Sequence, residues 1–199
     1  MEEVRGRDVS MIFQEPMTCL NPVFTIGTQM TDVIRTHEKI SKEEAFKKAV
    51  SLLEEVHIRN AEDVISCYPY ELSGGMRQRV MIAIALSCHP KLLIADEPTT
   101  ALDVTVQAQI LYLIKEACRN LKTAVLFISH DLGVISEICD SISVMYSGHI
   151  VESGDTASVL TEPCHPYTRA LIGALPKFTR EKTKGEIAKE YFMNGYNCA

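Results

Sequence analysis

Lys91-Leu92-Leu93-Ile94-Ala95-Asp96-Glu97-Pro98-Thr99-Thr100-Ala101-Leu102-Asp103 is the stretch whose reading decides the fold. Leu92–Ala95 is a wholly apolar run of strand length, as expected of a strand buried in a parallel sheet. It delivers two adjacent carboxylates, Asp96 and Glu97, just past a buried strand end. Carboxylate oxygens are the ligands Mg²⁺ prefers, often through water, although a charged strand terminus is also common by itself. A second carboxylate at the same tip is able to orient and activate an attacking water, the role expected of Glu97.

Working outward, Leu72-Ser73-Gly74-Gly75-Met76-Arg77-Gln78 lies shortly upstream. Two glycines remove Cβ atoms at a helix start, so backbone N–H groups can approach an anion closely, and Ser73 adds a hydroxyl. Ser73 is the expected cap of a helix that runs through Met81 to Leu86 and ends before Pro90. Downstream, Asp103 is placed to cap a helix whose apolar face is Val106, Ile110, Leu113, Ile114 and Ala117. Thr123–Ser129 reads as a second continuous apolar strand, followed by His130-Asp131 and a short helix through Cys139.

Further out, Val9–Gln14 reads as a short buried strand halted by Glu15-Pro16, and Thr28–His37 as helical. Ser41–His57 is a helix with a Ser41/Glu44 capping box and Ala45, Phe46, Ala49, Leu52, Leu53 and Val56 at helical spacing. Ser141–Glu152 reads as two strands around a Ser147-Gly148 hairpin turn. Strands that do not alternate in polarity, separated by helices, predict a parallel sheet covered on both faces. The helices from Thr28 to Leu86 arrive together as an inserted helical subdomain.

Composition sets outer limits. The chain has 199 residues, 46% hydrophobic and 23% charged, which is ordinary for a globular domain. A net charge of −6 with scattered Lys and Arg excludes a general nucleic-acid binder, which needs a concentrated basic face. Seven cysteines with no C-x-x-C pair read as reduced packing residues. The charged N-terminus has no signal-peptide core, and no apolar stretch has the length of a bilayer span.

The Ser-Gly-Gly turn, the carboxylate strand, Pro98–Asp103, Ile128-Ser129-His130-Asp131 and Phe13-Gln14-Glu15-Pro16 occur in an order that resembles ATP-binding cassette (ABC) ATPases. Met11–Pro22 and His165-Pro166-Tyr167-Thr168 more narrowly resemble the ATP-binding subunits of oligopeptide and dipeptide importers, a group that nickel importers share. The resemblance implies an α/β fold, an ABC-type P-loop NTPase core with a helical subdomain and a C-terminal extension. It implies ATP and Mg²⁺ as cofactors. Glu97, His130 and Gln14 become catalytic residues, Asp96 and Gln14 metal ligands, and Ser73, Gly74, Gly75, Gln78 and Asp103 nucleotide-binding residues. Domain boundaries follow: 1–21 partial core, 22–90 helical subdomain, 91–155 core, 156–180 importer-type extension, and 181–199 a tail of unassigned role. The implied partners are a second ABC ATP-binding subunit and transmembrane permease subunits, with no nucleic acid. The implied place is the cytoplasmic face of the plasma membrane, reached through the permease.

One departure stands against the resemblance. The chain contains no G-x-x-x-x-G-K-[ST] phosphate loop. The expectation is therefore an incomplete, N-terminally truncated cassette that does not bind ATP alone. Its signature turn Ser73–Gly75 would still serve, either within a working importer subunit or only by completing a partner's site. ABC-like ATPases of DNA repair or the ribosome fit less well, because the chain is acidic and carries the His-Pro-Tyr-Thr segment.

Overall fold

The structure is a computed structural model and describes residues 4–14, 19–100 and 102–174. The predicted strand stop at Glu15-Pro16 and the tail from 181 lie outside the described residues. The chain divides into two compact units, Met1–Ile128 and Ser129–Ala199.

In the first unit, β1 (Val9–Ile12), β2 (Leu92–Asp96) and β3 (Ala124–Ile128) form a parallel sheet in the order β1-β2-β3. The register pairs Ile12 with Ala95 and Asp96 with Ile128, so the carboxyl ends of the strands finish side by side. Between β1 and β2 run α1 (Ile26–His37), α2 (Lys42–Glu55), the single turn α3 (Ala61–Val64), a tight turn at Pro69–Glu71, and α4 (Gly74–Leu86). Helix α5 (Val104–Leu121) makes the crossover from β2 to β3.

Local chemistry sets these boundaries as the sequence predicts. Ser41 and Glu44 form a reciprocal capping box at the start of α2. Ser73 Oγ accepts the Met76 N–H at 3.3 Å, and Asp103 Oδ1 accepts the Val106 N–H at 3.0 Å. Ile26, Ile34, Leu53, Ile82, Leu93, Ile110 and Ile114 are buried together in one core. Each such side chain contributes roughly 1.5–3 kcal/mol of burial. Phe46 is a correction: it is 44% exposed, because the buried stripe of α2 runs through Ala45, Ala49, Leu52 and Leu53 instead.

The sheet is also covered differently from the expectation. Leu93 and Ala95 are fully buried, but Val125, Leu126 and Ile128 of β3 are 38%, 53% and 44% exposed. An apolar run specifies what a strand's two faces favour and does not identify what covers them. Here the described helices cover the β1 and β2 face that carries Ile12 and Leu93, and β3 is left open.

In the second unit, α6 (Leu132–Ile138) precedes an antiparallel hairpin of β4 (Ser141–Tyr146) and β5 (His149–Asp155). Ser147 and Gly148 both have positive φ, 48° and 80°, as a tight hairpin with matching twist requires. Two short helices follow, α7 (Thr156–Thr161) and α8 (Pro166–Gly173). Glu152 on β5 accepts the backbone N–H groups of Cys164 and His165, fastening the start of α8 to the hairpin. Tyr146 and Tyr167 pack ring to ring at 4.4 Å.

Candidate functional site

The site begins with sheet register. Because Ile12 pairs with Ala95 in parallel, the residues two positions further on, Gln14 and Glu97, leave the sheet as neighbours. Gln14 Nε2 donates to Glu97 Oε2 at 2.9 Å. The same oxygen accepts the Thr100 hydroxyl at 2.9 Å. The carboxylate is thus oriented from two directions, by the end of β1 and by the turn that follows β2. Asp96 is the last residue of β2 and is half-buried. Open α/β sheets bind ligands at this carboxyl edge of their strands.

The backbone around Glu97 is unusual. Glu97 has φ 44°, a left-handed conformation that a residue with a Cβ enters at a cost of about 1–2 kcal/mol. Its N–H is bonded to Ile128 O at 3.0 Å, and its own carbonyl accepts Thr100 N–H at 3.2 Å. Pro98 fits the second position of this turn, where its fixed φ is an advantage.

The Ser73–Gly75 turn opens α4 and packs beside the start of α5. A Cβ placed on Gly75 would stand 3.0 Å from Val106 Cγ1, and one on Gly74 only 3.9 Å from Leu102 Cδ2. Close packing therefore accounts for Gly75, whereas the chain leaves the space beside Gly74 largely unfilled. The first N–H groups of a helix have no partner within it, and they carry the positive end of its dipole. With the Ser73 hydroxyl they form a donor set that suits phosphate oxygens.

Gln78 is placed differently from a nucleotide ligand at a surface. It is 1% exposed, and its Nε2 donates to Pro98 O at 2.6 Å. Asp103 is exposed, with one carboxylate oxygen engaged in capping α5. Arg79 also braces α4. Its guanidinium donates to Val56 O and Gln109 Oε1, and burial pulls its pKa below the ordinary arginine value. His130 belongs to the second unit, where it is exposed and precedes the α6 cap Asp131.

Thr100 is a site residue that the sequence reading passed over. Its signal was available, since it stands three residues after Glu97 across a Pro-containing turn, a spacing that folds the two side chains together. The buried Gln78 bond had no such signal, being formed across 20 residues.

Among the described residues, no three His, Cys, Asp or Glu side chains gather to hold a metal ion. The neighbouring Asp96 and Glu97 carboxylates at the end of β2 suit Mg²⁺, which takes one or two carboxylates and completes its shell with water and substrate phosphates. No helix of the described residues is long and apolar enough to cross a membrane.

Residues 1–100 match the family described as ABC transporter, and residues 151–193 match the oligopeptide/dipeptide transporter C-terminal region. The "Probable D,D-dipeptide transport ATP-binding protein DdpD" of Escherichia coli is 60% identical over 177 residues, covering 89% of this chain and 54% of the relative. The oligopeptide transport ATP-binding protein AppD of Bacillus subtilis is 56% identical over 182 residues, covering 92% of this chain and 56% of the relative. The chain therefore spans about half the length of these curated relatives. Among solved structures, a dimeric ATP-binding cassette in a post-hydrolysis state, bound to ADP and Pi, superposes with a TM-score of 0.66. That match is 27% identical and covers 77% of this chain and 65% of the other.

Proposed function

Because this chain belongs to the ABC transporter family, we propose that it is an ATP-binding subunit that energises an oligopeptide or dipeptide importer by hydrolysing ATP to ADP and phosphate. The observation that carries the chemistry is the Gln14–Glu97–Thr100 constellation at the carboxyl edge of a parallel sheet. The match of residues 151–193 to a peptide-transporter region supports the substrate class.

In this reading Glu97 takes a proton from water as the water oxygen attacks the γ-phosphorus, and the bond to the β–γ bridging oxygen breaks. Gln14 orients that carboxylate and its water. Asp96 and Gln14 would hold Mg²⁺, which would supply neutralisation of phosphate charge. His130 contacts the γ-phosphate. Ser73, Gly74 and Gly75 close over the nucleotide of a second ATP-binding subunit, while Asp103 works from the neighbouring turn. Residues 1–21 and 91–155 serve as core, 22–90 as helical subdomain, and 156–180 as the importer-type extension. Attachment at the cytoplasmic membrane face runs through permease subunits.

The test is Glu97→Gln in an assembled transporter whose cassette is completed with a phosphate loop. Turnover should fall by roughly 10²–10⁴-fold with ATP binding retained. Unchanged turnover would reject Glu97 as the base.

A further inference from the structure

The Ser73–Gly75 turn and the Glu97 turn are separate in sequence, yet one buried side chain joins them. Gln78 is the fifth residue of α4, three positions after Gly75, and is 1% exposed. Its Nε2 donates at 2.6 Å to the carbonyl of Pro98, the residue that follows Glu97. Pro98 is itself buried, so no water is at hand to replace that donor. The contact continues on either side, with Gly75 against Val106 and Gly74 beside Leu102.

We propose that Gln78 is a positioning residue that makes the glycine turn and the Glu97 turn one rigid body, so that closure of the first over a partner's nucleotide sets the aim of the second at this chain's own. The proposal rests on the reading of Glu97 as the base. Its physical reasoning is independent of that reading. Proline has no N–H, so the only main-chain polar group Pro98 itself offers for anchoring is its carbonyl. The residue before it is held in the left-handed region, where φ is 44° and the conformation persists only if its surroundings over-determine it. Fixing the Pro98 carbonyl removes the simplest way for Glu97 to relax, which is rotation of the Glu97–Pro98–Thr99 segment as a whole.

The test has two arms. In the first, the purified chain is compared with Gln78→Met, which keeps the volume and removes the donor, and with Gln78→Glu, which keeps the shape. Amide hydrogen exchange is read at Thr100 and Leu102, whose N–H groups close the turns onto Glu97 O and Thr99 O. Leu113 and Ile114 in α5 report global opening. Exchange at Thr100 and Leu102 should accelerate about 10-fold in both variants, the loss expected when a buried carbonyl is left without its donor, with α5 unaffected. Unchanged exchange at the turn, or equal acceleration throughout α5, overturns the proposal.

In the second arm, ATP turnover of the assembled transporter carrying Gln78→Met should show kcat reduced at unchanged KM, since the base loses its aim and the nucleotide keeps its contacts. Turnover that falls with Glu97→Gln and not with Gln78→Met overturns the coupling and leaves the base assignment standing. Turnover indifferent to Glu97→Gln defeats the functional reading instead, while the exchange arm still decides whether Gln78 holds the turn.

Discussion

Gly74→Ala separates a glycine kept for a ligand from one kept for the fold. Within a helix, alanine is more favourable than glycine by roughly 0.5–1 kcal/mol, because glycine loses more backbone freedom on folding. At Gly74 nothing in the structure opposes that gain. The new Cβ would meet only Leu102 Cδ2, at 3.9 Å, which is ordinary van der Waals contact. Taking about half the interior value at this first helical position gives a stabilisation of roughly 0.25–0.5 kcal/mol, or a Tm higher by about 0.5–2 °C for a chain of this size. Gly27→Ala is the internal contrast. Its Cβ would stand 2.8 Å from Ile65 O and 2.9 Å from Ile65 Cγ1, and backbone cannot rotate away as a side-chain tip does. That overpacking costs about 1–3 kcal/mol. Urea and thermal unfolding followed by circular dichroism would give both values. In the proposed function the same methyl at Gly74 would intrude where a phosphate approaches the helix N–H groups, and transporter turnover should fall roughly 10-fold or more. A Gly74→Ala chain destabilised by more than about 1 kcal/mol would refute the reasoning, since the chain's own packing would then explain the glycine.

Thr100→Val should lower kcat in the assembled transporter by roughly 10-fold, and Thr100→Ser should restore most of it, because it is the hydroxyl of Thr100 that bonds Glu97 Oε2. Equal loss in both variants would assign Thr100 to packing. Burial pushes the Cys118 thiol up to about 11, so in the native state it should resist alkylation at pH 8 while exposed Cys19 and Cys164 react. The sign follows from a raised acid pKa: the folded state keeps the proton longer, and stability falls as pH rises from the ordinary thiol value towards about 11. Ser41→Ala should lower Tm by about 2–4 °C through loss of the α2 cap. The Ser41 hydroxyl and backbone N–H hold the Glu44 carboxyl below its ordinary value, a contribution present near neutrality and lost as pH falls. Melting curves of both chains from pH 7 to pH 3 should therefore draw closer; a constant gap would assign the loss to the pH-independent bond from Glu44 N–H to Ser41 Oγ and to helix propensity.

Much of this fold was legible in the sequence because local rules had no competitor. Ser41, Ser73 and Asp103 each cap the helix predicted for them, and Ser147-Gly148 makes the predicted hairpin. Gln14 and Glu97 were both picked out one by one, and strand register supplied the reason that they meet. What stayed hidden depends on neighbours distant in sequence. Phe46 has the composition of a core residue, but the helix turns it away from the stripe that α1 and α4 cover. Leu126 likewise belongs to an apolar run, yet a run does not reveal which of its faces another element reaches. The resemblance implies Gln78 as a nucleotide-binding residue, and no local signal announces its bond to the Pro98 carbonyl, which forms across 20 residues.

The backbone gives an argument for Glu97 that residue identity does not. Six described residues other than glycine have positive φ: His57, Asn60, His89, Glu97, Lys122 and Ser147. Five of these are explained by chain reversal. His57 and His89 follow helix ends, Asn60 and Lys122 cap helices, and Ser147 turns the hairpin. Glu97 instead leaves the end of a parallel strand, where an extended exit would be less strained. It is held there by Ile128 O on its N–H, Thr100 on its carbonyl, and Gln14 and Thr100 on its carboxylate. A conformation that strains the main chain and is pinned at its N–H, its carbonyl and one carboxylate oxygen is what selection for the direction of one carboxylate would leave behind. Had stability alone shaped this corner, a glycine at position 97 would have made the same turn without the strain.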